Sequence, residues 1–235
     1  MNEEEYVKPT IVVPLGDMHW GYAPVNVEKF EKVIKYIEDY ADYWIGMGDY
    51  IDCTTPYSRH YEFERRTMNV QEQIVSVANY FRPIADKCLG LLYGNHEHRL
   101  RKTEIDPVVQ IAELIGRPEL PVKGVFLQKI NGYTVFATHG VTSSVKKSYK
   151  INKLMELSKI YHADIYLMGH VHELDVVKDL FIDPEGNFRE RTFAFTGHFI
   201  EYKNSYAQEL LYSPTPVGCN AFYLEKGGIF VERIV

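Results

Sequence analysis

Tyr93-Gly94-Asn95-His96-Glu97-His98-Arg99 decides how this chain folds, because it closes the apolar run that starts at Cys88-Leu89-Gly90-Leu91-Leu92. That run is short and sharply bounded, the pattern of a buried strand. Gly94 breaks it, and a carboxamide, an imidazole, a carboxylate, a second imidazole and a guanidinium follow at once. Such groups do not end a core strand for the sake of packing, since burying one without a partner costs about 1–3 kcal/mol. In an α/β sheet, the space beyond the carboxyl ends of the strands is where ligands bind.

Four more apolar runs end in the same way. Thr10-Ile11-Val12-Val13-Pro14-Leu15 leads into Gly16-Asp17-Met18-His19, and Tyr43-Trp44-Ile45-Gly46-Met47 into Gly48-Asp49-Tyr50-Ile51-Asp52. Tyr133-Thr134-Val135-Phe136-Ala137 leads into Thr138-His139-Gly140, and Asp164-Ile165-Tyr166-Leu167-Met168 into Gly169-His170-Val171-His172. One such ending means little; five in order make a composite site.

The ordered set D-x-H, G-D-x-x-D, G-N-H-E, a lone H-G after a strand, and G-H-x-H resembles the motifs of the calcineurin-like metallophosphoesterase superfamily. All five are intact between Asp17 and His172. The resemblance implies a four-layer αββα sandwich, two mixed β-sheets flanked by helices. The remaining pattern agrees. Helical spacing follows Asn26 over 27–40 and recurs over about 69–81, and Asp106-Pro107 opens a helix running to Ile115. Asn131-Gly132 marks a hairpin between 126–130 and 133–137. A further helix is predicted near 151–161, and the chain after His172 reads as two hairpins. A single domain over 1–235 is expected, with a substrate-facing excursion at 53–68 that is longer than most connections.

Bulk properties narrow the function. At 235 residues, 46% hydrophobic and 25% charged, the chain has an ordinary globular composition. A net charge of −6 argues against a generally basic nucleic-acid surface. No apolar run approaches the ~20 residues that span a membrane, and the acidic start does not resemble a signal peptide. Cys53, Cys88 and Cys219 form no paired framework and no C-x-x-C zinc pattern, so a cytoplasmic setting is expected.

The candidate metal ligands are Asp17, His19, Asp49, Asn95, His139, His170 and His172. Imidazole and carboxylate donors without thiolate suit Mn²⁺, Fe, Zn²⁺, Co²⁺ or Ni²⁺ rather than Ca²⁺. Seven ligands are too many for one tetrahedral ion and suit two divalent ions sharing a bridge, with Mn²⁺ the leading expectation. The resemblance implies that Asp17, His19, Asp49 and His172 hold one ion, and that Asp49, Asn95, His139 and His170 hold the other. Two divalent ions outweigh two aspartates and a bridging hydroxide, so such a site stays net positive and attracts an anion. The hydroxide would attack phosphorus in line. By the same resemblance His96 is the catalytic residue at the leaving oxygen. His98, Arg99 and His198 are candidate substrate contacts, while Glu97 and Asp52 are expected to orient ligands or loop backbone. His60 and His162 match no motif.

The phosphoprotein phosphatase branch carries an arginine after its G-D-x-x-D block and another before its G-N-H-E. Here Cys53 and Leu92-Tyr93 stand in those places. The leading expectation is therefore a metal-dependent phosphodiesterase acting on a nucleic acid or nucleotide. The alternatives are a phosphomonoesterase or protein phosphatase, or a non-catalytic scaffold that reuses the fold.

Overall fold

A computed structural model describes residues 8–55, 66–140, 144, 146–183 and 185–235. The middle of the predicted excursion, with Arg59, His60 and Arg65, lies outside the described residues. The chain alternates strands and helices in its first half: β1 (Thr10–Leu15), α1 (Val27–Asp39), β2 (Tyr43–Gly46), α2 (Val70–Phe81), β3 (Cys88–Leu92), α3 (Pro107–Leu114) and β4 (Pro121–Val122). Then follow β5 (Val125–Ile130), β6 (Tyr133–Thr138), α4 (Lys147–Glu156), β7 (Ile165–Met168), β8 (Val176–Ile182), β9 (Phe188–Phe195), α5 (Tyr206–Glu209), β10 (Cys219–Glu225) and β11 (Gly228–Ile234).

The helix starts obey local chemistry. The side chains of Asn26, Asn69 and Asp106 each accept a backbone N–H from the first turn of α1, α2 and α3, and Glu72 returns the bond in a capping box at α2. In the β5–β6 hairpin both turn residues take left-handed backbone, φ 45° at Asn131 and 87° at Gly132, which the type I′ turn demands. One predicted helix is displaced: α4 begins at Lys147, not near Ile151, and ends at Glu156. Its N-cap residue, Lys146, makes no side-chain cap bond, so the residues carry no start signal.

Two sheets form. The first has the order β11-β10-β1-β2-β3-β4, with β1 to β4 parallel, β10 antiparallel to β1, and β11 antiparallel to β10 at the edge. The second has the order β5-β6-β7-β9-β8, with β6, β7 and β9 parallel between two antiparallel edges. Strand alternation sorts the core into three layers. Val12, Ile45, Met47 and Leu92 of the first sheet meet Val135, Ala137, Ile165 and Leu167 of the second. Val13, Leu15, Trp44 and Leu91 point the other way, onto Phe30, Ile37, Val77, Phe81 and Ile111 of α1 to α3. Phe136, Tyr166, Met168 and Phe193 pack outward onto Leu154 of α4. Both faces of the inner strands are buried, so they read as continuous apolar runs rather than alternating ones. The expected αββα sandwich is the observed one. Among the described residues no helix is long and apolar enough to cross a membrane.

Candidate metal centre

The loops after β1, β2, β3, β6 and β7 converge, bringing all seven candidate ligands together. Asp17 and Asp49 are completely or almost completely buried, as are His19 and His139. Both carboxylate oxygens of Asp17 accept the backbone N–H of His170, at 3.0 and 2.9 Å. His172 Nε2 lies 3.3 Å from Asp17 Oδ1 and 3.0 Å from His19 Nε2. Asp49 Oδ2 is 3.3 Å from His139 Nε2 and 3.7 Å from His19 Nε2. Asn95 Oδ1 lies 3.0 Å from His139 Nε2. His170 completes a donor group with Asp49 and His139, and Asp17, His19 and His172 form another, each with its ligand atoms within 4.8 Å of one another.

The backbone is bent to achieve this. Asp17, His19, Asp49, His170 and His172 all have positive φ, between 48° and 66°. A non-glycine residue there costs about 1–3 kcal/mol, and clusters of such residues are found where structure has been subordinated to a site. Glycine serves two close approaches. A Cβ on Gly94 would stand 2.1 Å from Asp49 Oδ1, and one on Gly48 would stand 2.6 Å from the Gly94 nitrogen. Gly94→Ala is accordingly expected to destabilise the fold and to displace Asp49, read as a lowered urea midpoint together with weaker metal binding.

Glu97 knits these loops from beneath. Its carboxylate accepts the N–H groups of Asp49 at 3.0 Å, Tyr50 at 2.7 Å, Ile51 at 3.4 Å and Gly94 at 2.8 Å. That is the orienting role expected for it. Burial, then the neighbouring Asp49 charge, pushes its pKa up to about 7. Glu97→Ala would strand several buried N–H groups at about 1–3 kcal/mol each. A loss of at least about 3 kcal/mol in equilibrium unfolding is the expected result; a variant as stable as the parent would show that water replaces the carboxylate.

The histidines are individually aimed. His139 Nδ1 donates to the Met47 carbonyl at 2.7 Å, which turns Nε2 toward Asp49. Burial would lower the His139 pKa, but the Asp49 carboxylate raises it to about 10. Burial, then the charge of His96, holds His19 well below its usual value, and burial also lowers His170. His172 Nδ1 is 3.0 Å from the Tyr206 hydroxyl. With Nε2 facing the cluster, the Nδ1–H donates to that oxygen and fixes the tautomer. Tyr206 is a residue that the sequence did not place at the site: it lies on the short α5, 34 positions away, and the segment Tyr206-Ala207-Gln208 resembles only the tail of exonuclease-like members of the superfamily. Tyr206→Phe should weaken divalent-metal binding about 10-fold, measured by calorimetric titration; unchanged affinity would make the contact incidental.

His96 occupies the rim. Its backbone N–H donates to Asp49 Oδ1 at 2.8 Å, and its Nδ1 donates to the Asp52 carbonyl at 2.8 Å. Nε2 accepts from Arg99 Nη2 at 2.7 Å, while Arg99 Nη1 reaches the Asp52 carbonyl at 3.1 Å. Nδ1 also lies 3.3 Å from His19 Nδ1, and His96 forms with His19 and Asp49 a third group of donor atoms within 4.8 Å of one another. His98 stacks on Tyr93 at 5.9 Å and lines a cleft of about 700 Å³ on the Asn95–His139 side. His198 is buried, stacked on His172 at 5.0 Å, and bonded to Thr215 and the Ile200 N–H. His162 takes no part in any of these groups.

The donor chemistry fits the ions the sequence suggested: carboxylate, imidazole and carboxamide converge, and Cys53, Cys88 and Cys219 are free thiols, none of them a member of the donor groups. Comparison with known proteins agrees. The sequence model of the calcineurin-like phosphoesterases matches residues 12–174, and the chain belongs to this family, whose members are metal-dependent hydrolases of phosphoester bonds. An archaeal phosphodiesterase superposes with a TM-score of 0.51 at 12% identity, over 95% of this chain and 99% of that one. A single-substitution form of Vps29 from Entamoeba histolytica superposes with a TM-score of 0.51 at 13% identity, over 96% of this chain and 98% of its own. These likenesses are of fold. No curated protein sequence matches the chain.

Proposed function

We propose that the chain is a dinuclear metallophosphoesterase that hydrolyses phosphodiester bonds, in a nucleic acid or nucleotide. The observation that carries this reading is the convergence of two donor groups, Asp17–His19–His172 and Asp49–His139–His170, on either side of Asp49, with His96 and Arg99 beside them. Asp17, His19, Asp49 and His172 would hold one divalent ion and Asp49, Asn95, His139 and His170 the other, Mn²⁺ first and Fe, Zn²⁺, Co²⁺ or Ni²⁺ as alternatives. Such a pair supplies a nucleophile at neutral pH and positive charge for a phosphoryl group.

The chain's own residues do the rest. Arg99 offers a guanidinium to a phosphoryl oxygen. Carrying a proton on Nε2, which Arg99 must then release, His96 gives that proton to the departing oxygen, its ring held from behind by the Asp52 carbonyl. His98 and Lys123 line the wider cleft on the opposite side, where the retained half of a diester would lie. His198 supports His172 through stacking, and as a substrate contact it would act from the cleft that it lines with His170 and His172. The chain would act as one domain, in the cytoplasmic setting that unpaired cysteines suit.

Purified protein assayed for metal content, and for hydrolysis of bis-p-nitrophenyl phosphate, p-nitrophenyl phosphate and single-stranded DNA across divalent ions, tests this. Two bound ions and faster turnover of the diester than the monoester are expected. Preference for the monoester would make the chain a phosphomonoesterase, and no turnover with any ion would leave it a scaffold.

A further inference from the structure

A second cleft, of about 380 Å³, opens beside the His96 end of the centre. Tyr22, Tyr206 and Tyr212 line it with Ile200, Leu210 and Glu209, a mostly aromatic and aliphatic wall, and His96 and Arg99 line it as well. The Tyr206 ring lies 6.4 Å from Tyr22 and 6.5 Å from Tyr212, the latter pair edge to face. Tyr212 is 40% exposed and Leu210 59% exposed, a large apolar surface to leave at the edge of a polar site. Ile200, Tyr206, Leu210 and Tyr212 all follow residue 174, so all of this wall but Tyr22 lies outside the span that the family model matches.

We propose that this cleft binds the nucleobase of the alcohol that leaves phosphorus, so that the preferred substrate is a phosphodiester with a nucleoside leaving group. The inference rests on the phosphodiesterase reading and on His96 standing at the leaving oxygen. Three features carry it. Aromatic faces accept any base by stacking, worth about 1–3 kcal/mol per base. The volume falls at the small end of the ~300–1,000 Å³ typical of ligand pockets, enough for one nucleoside and too little for a duplex. His96 and Arg99 belong to the catalytic side of the cleft, which sets the sugar oxygen at His96 and the base among the tyrosines, where Glu209 also lines the cleft and can accept a base N–H. In the reaction a water oxygen bonds to phosphorus and the bond from phosphorus to the nucleoside oxygen breaks. That oxygen takes its proton from Nε2 of protonated His96, the proton lost by water passes to solvent, and His96 regains a proton from solvent.

The test compares two diesters: a thymidine dinucleotide, from which a thymidine leaves whichever bond breaks, and the dimethyl ester of phosphate, a methyl ester whose leaving group can only be methanol. In Tyr212→Ala, kcat/KM for the dinucleotide should fall about 10-fold or more while the methyl ester stays within about twofold. Tyr212→Phe, which keeps the ring, should restore the difference. Equal losses on both esters, no loss on either, or an octyl ester preferred over the dinucleotide would each overturn the proposal. Calorimetric titration with thymidine separates this from failure of the phosphodiesterase reading. Thymidine binding that Tyr212→Ala abolishes, in a protein that cleaves no diester, would keep the base site and discard the reading. Cleavage of both esters without thymidine binding or discrimination would discard the base site and keep the reading.

Discussion

On the proposed two-metal reading, Asp49→Ala is expected to reduce phosphodiester hydrolysis by at least about 10³-fold and to lower bound metal from two ions to one or none. Its carboxylate is the donor that belongs to both sides of the centre, 3.3 Å from His139 on one side and 3.7 Å from His19 on the other. Residues that merely support a ligand cost 10–100-fold in metal affinity or activity when removed, and a shared ligand should cost more. The same substitution has a readout apart from turnover. A metal at about 1,000 times its Kd stabilises the folded state by about 4 kcal/mol, so the parent should gain that much on loading, and the variant should lose most of the gain. Thermal unfolding with and without Mn²⁺, beside metal analysis of both proteins, measures it. A variant that keeps two ions and the full rate would remove Asp49 from the centre.

The parts of this molecule that were legible in its residues were those governed by local or repetitive rules. The inner strands announced themselves because both faces are buried, and Asn26, Asn69 and Asp106 announced their helices because a capping side chain must sit next to what it caps. The candidate ligands could be picked out because each follows a strand, and parallel strands deliver their ends to one side. What was not legible depends on distance in sequence. β4 and α5 are too short for any period. Nothing near Tyr206 says that its hydroxyl will meet His172, and nothing near Thr196-Gly197-His198 says whether that ring faces substrate or stacks behind a ligand. The left-handed backbone at Asp17, His19, Asp49, His170 and His172 is likewise invisible, because aspartate and histidine only tolerate such a conformation; the surrounding structure imposes it.

His96→Ala is expected to slow hydrolysis of an alkyl phosphodiester by about 10²–10⁴-fold, the range for a lost general acid, with metal content unchanged. The geometry explains why the loss should be chemical and not structural. The ring stands at the rim with its Nδ1 bonded to the Asp52 carbonyl, so Nε2 is turned toward Arg99 and the cleft beyond. The main-chain N–H that reaches Asp49 survives the substitution. Two roles for Nε2 predict different dependence on the leaving group. A proton donor matters most when the departing oxygen is strongly basic, so the loss should be large for an alkyl or nucleoside ester and much smaller for a p-nitrophenyl ester, which leaves as a stable anion. A histidine that only neutralises phosphoryl charge would cost the same on both. Measuring kcat for the two esters in the parent and in His96→Ala decides between them, and a variant with undiminished activity on the alkyl ester would take His96 out of the reaction altogether.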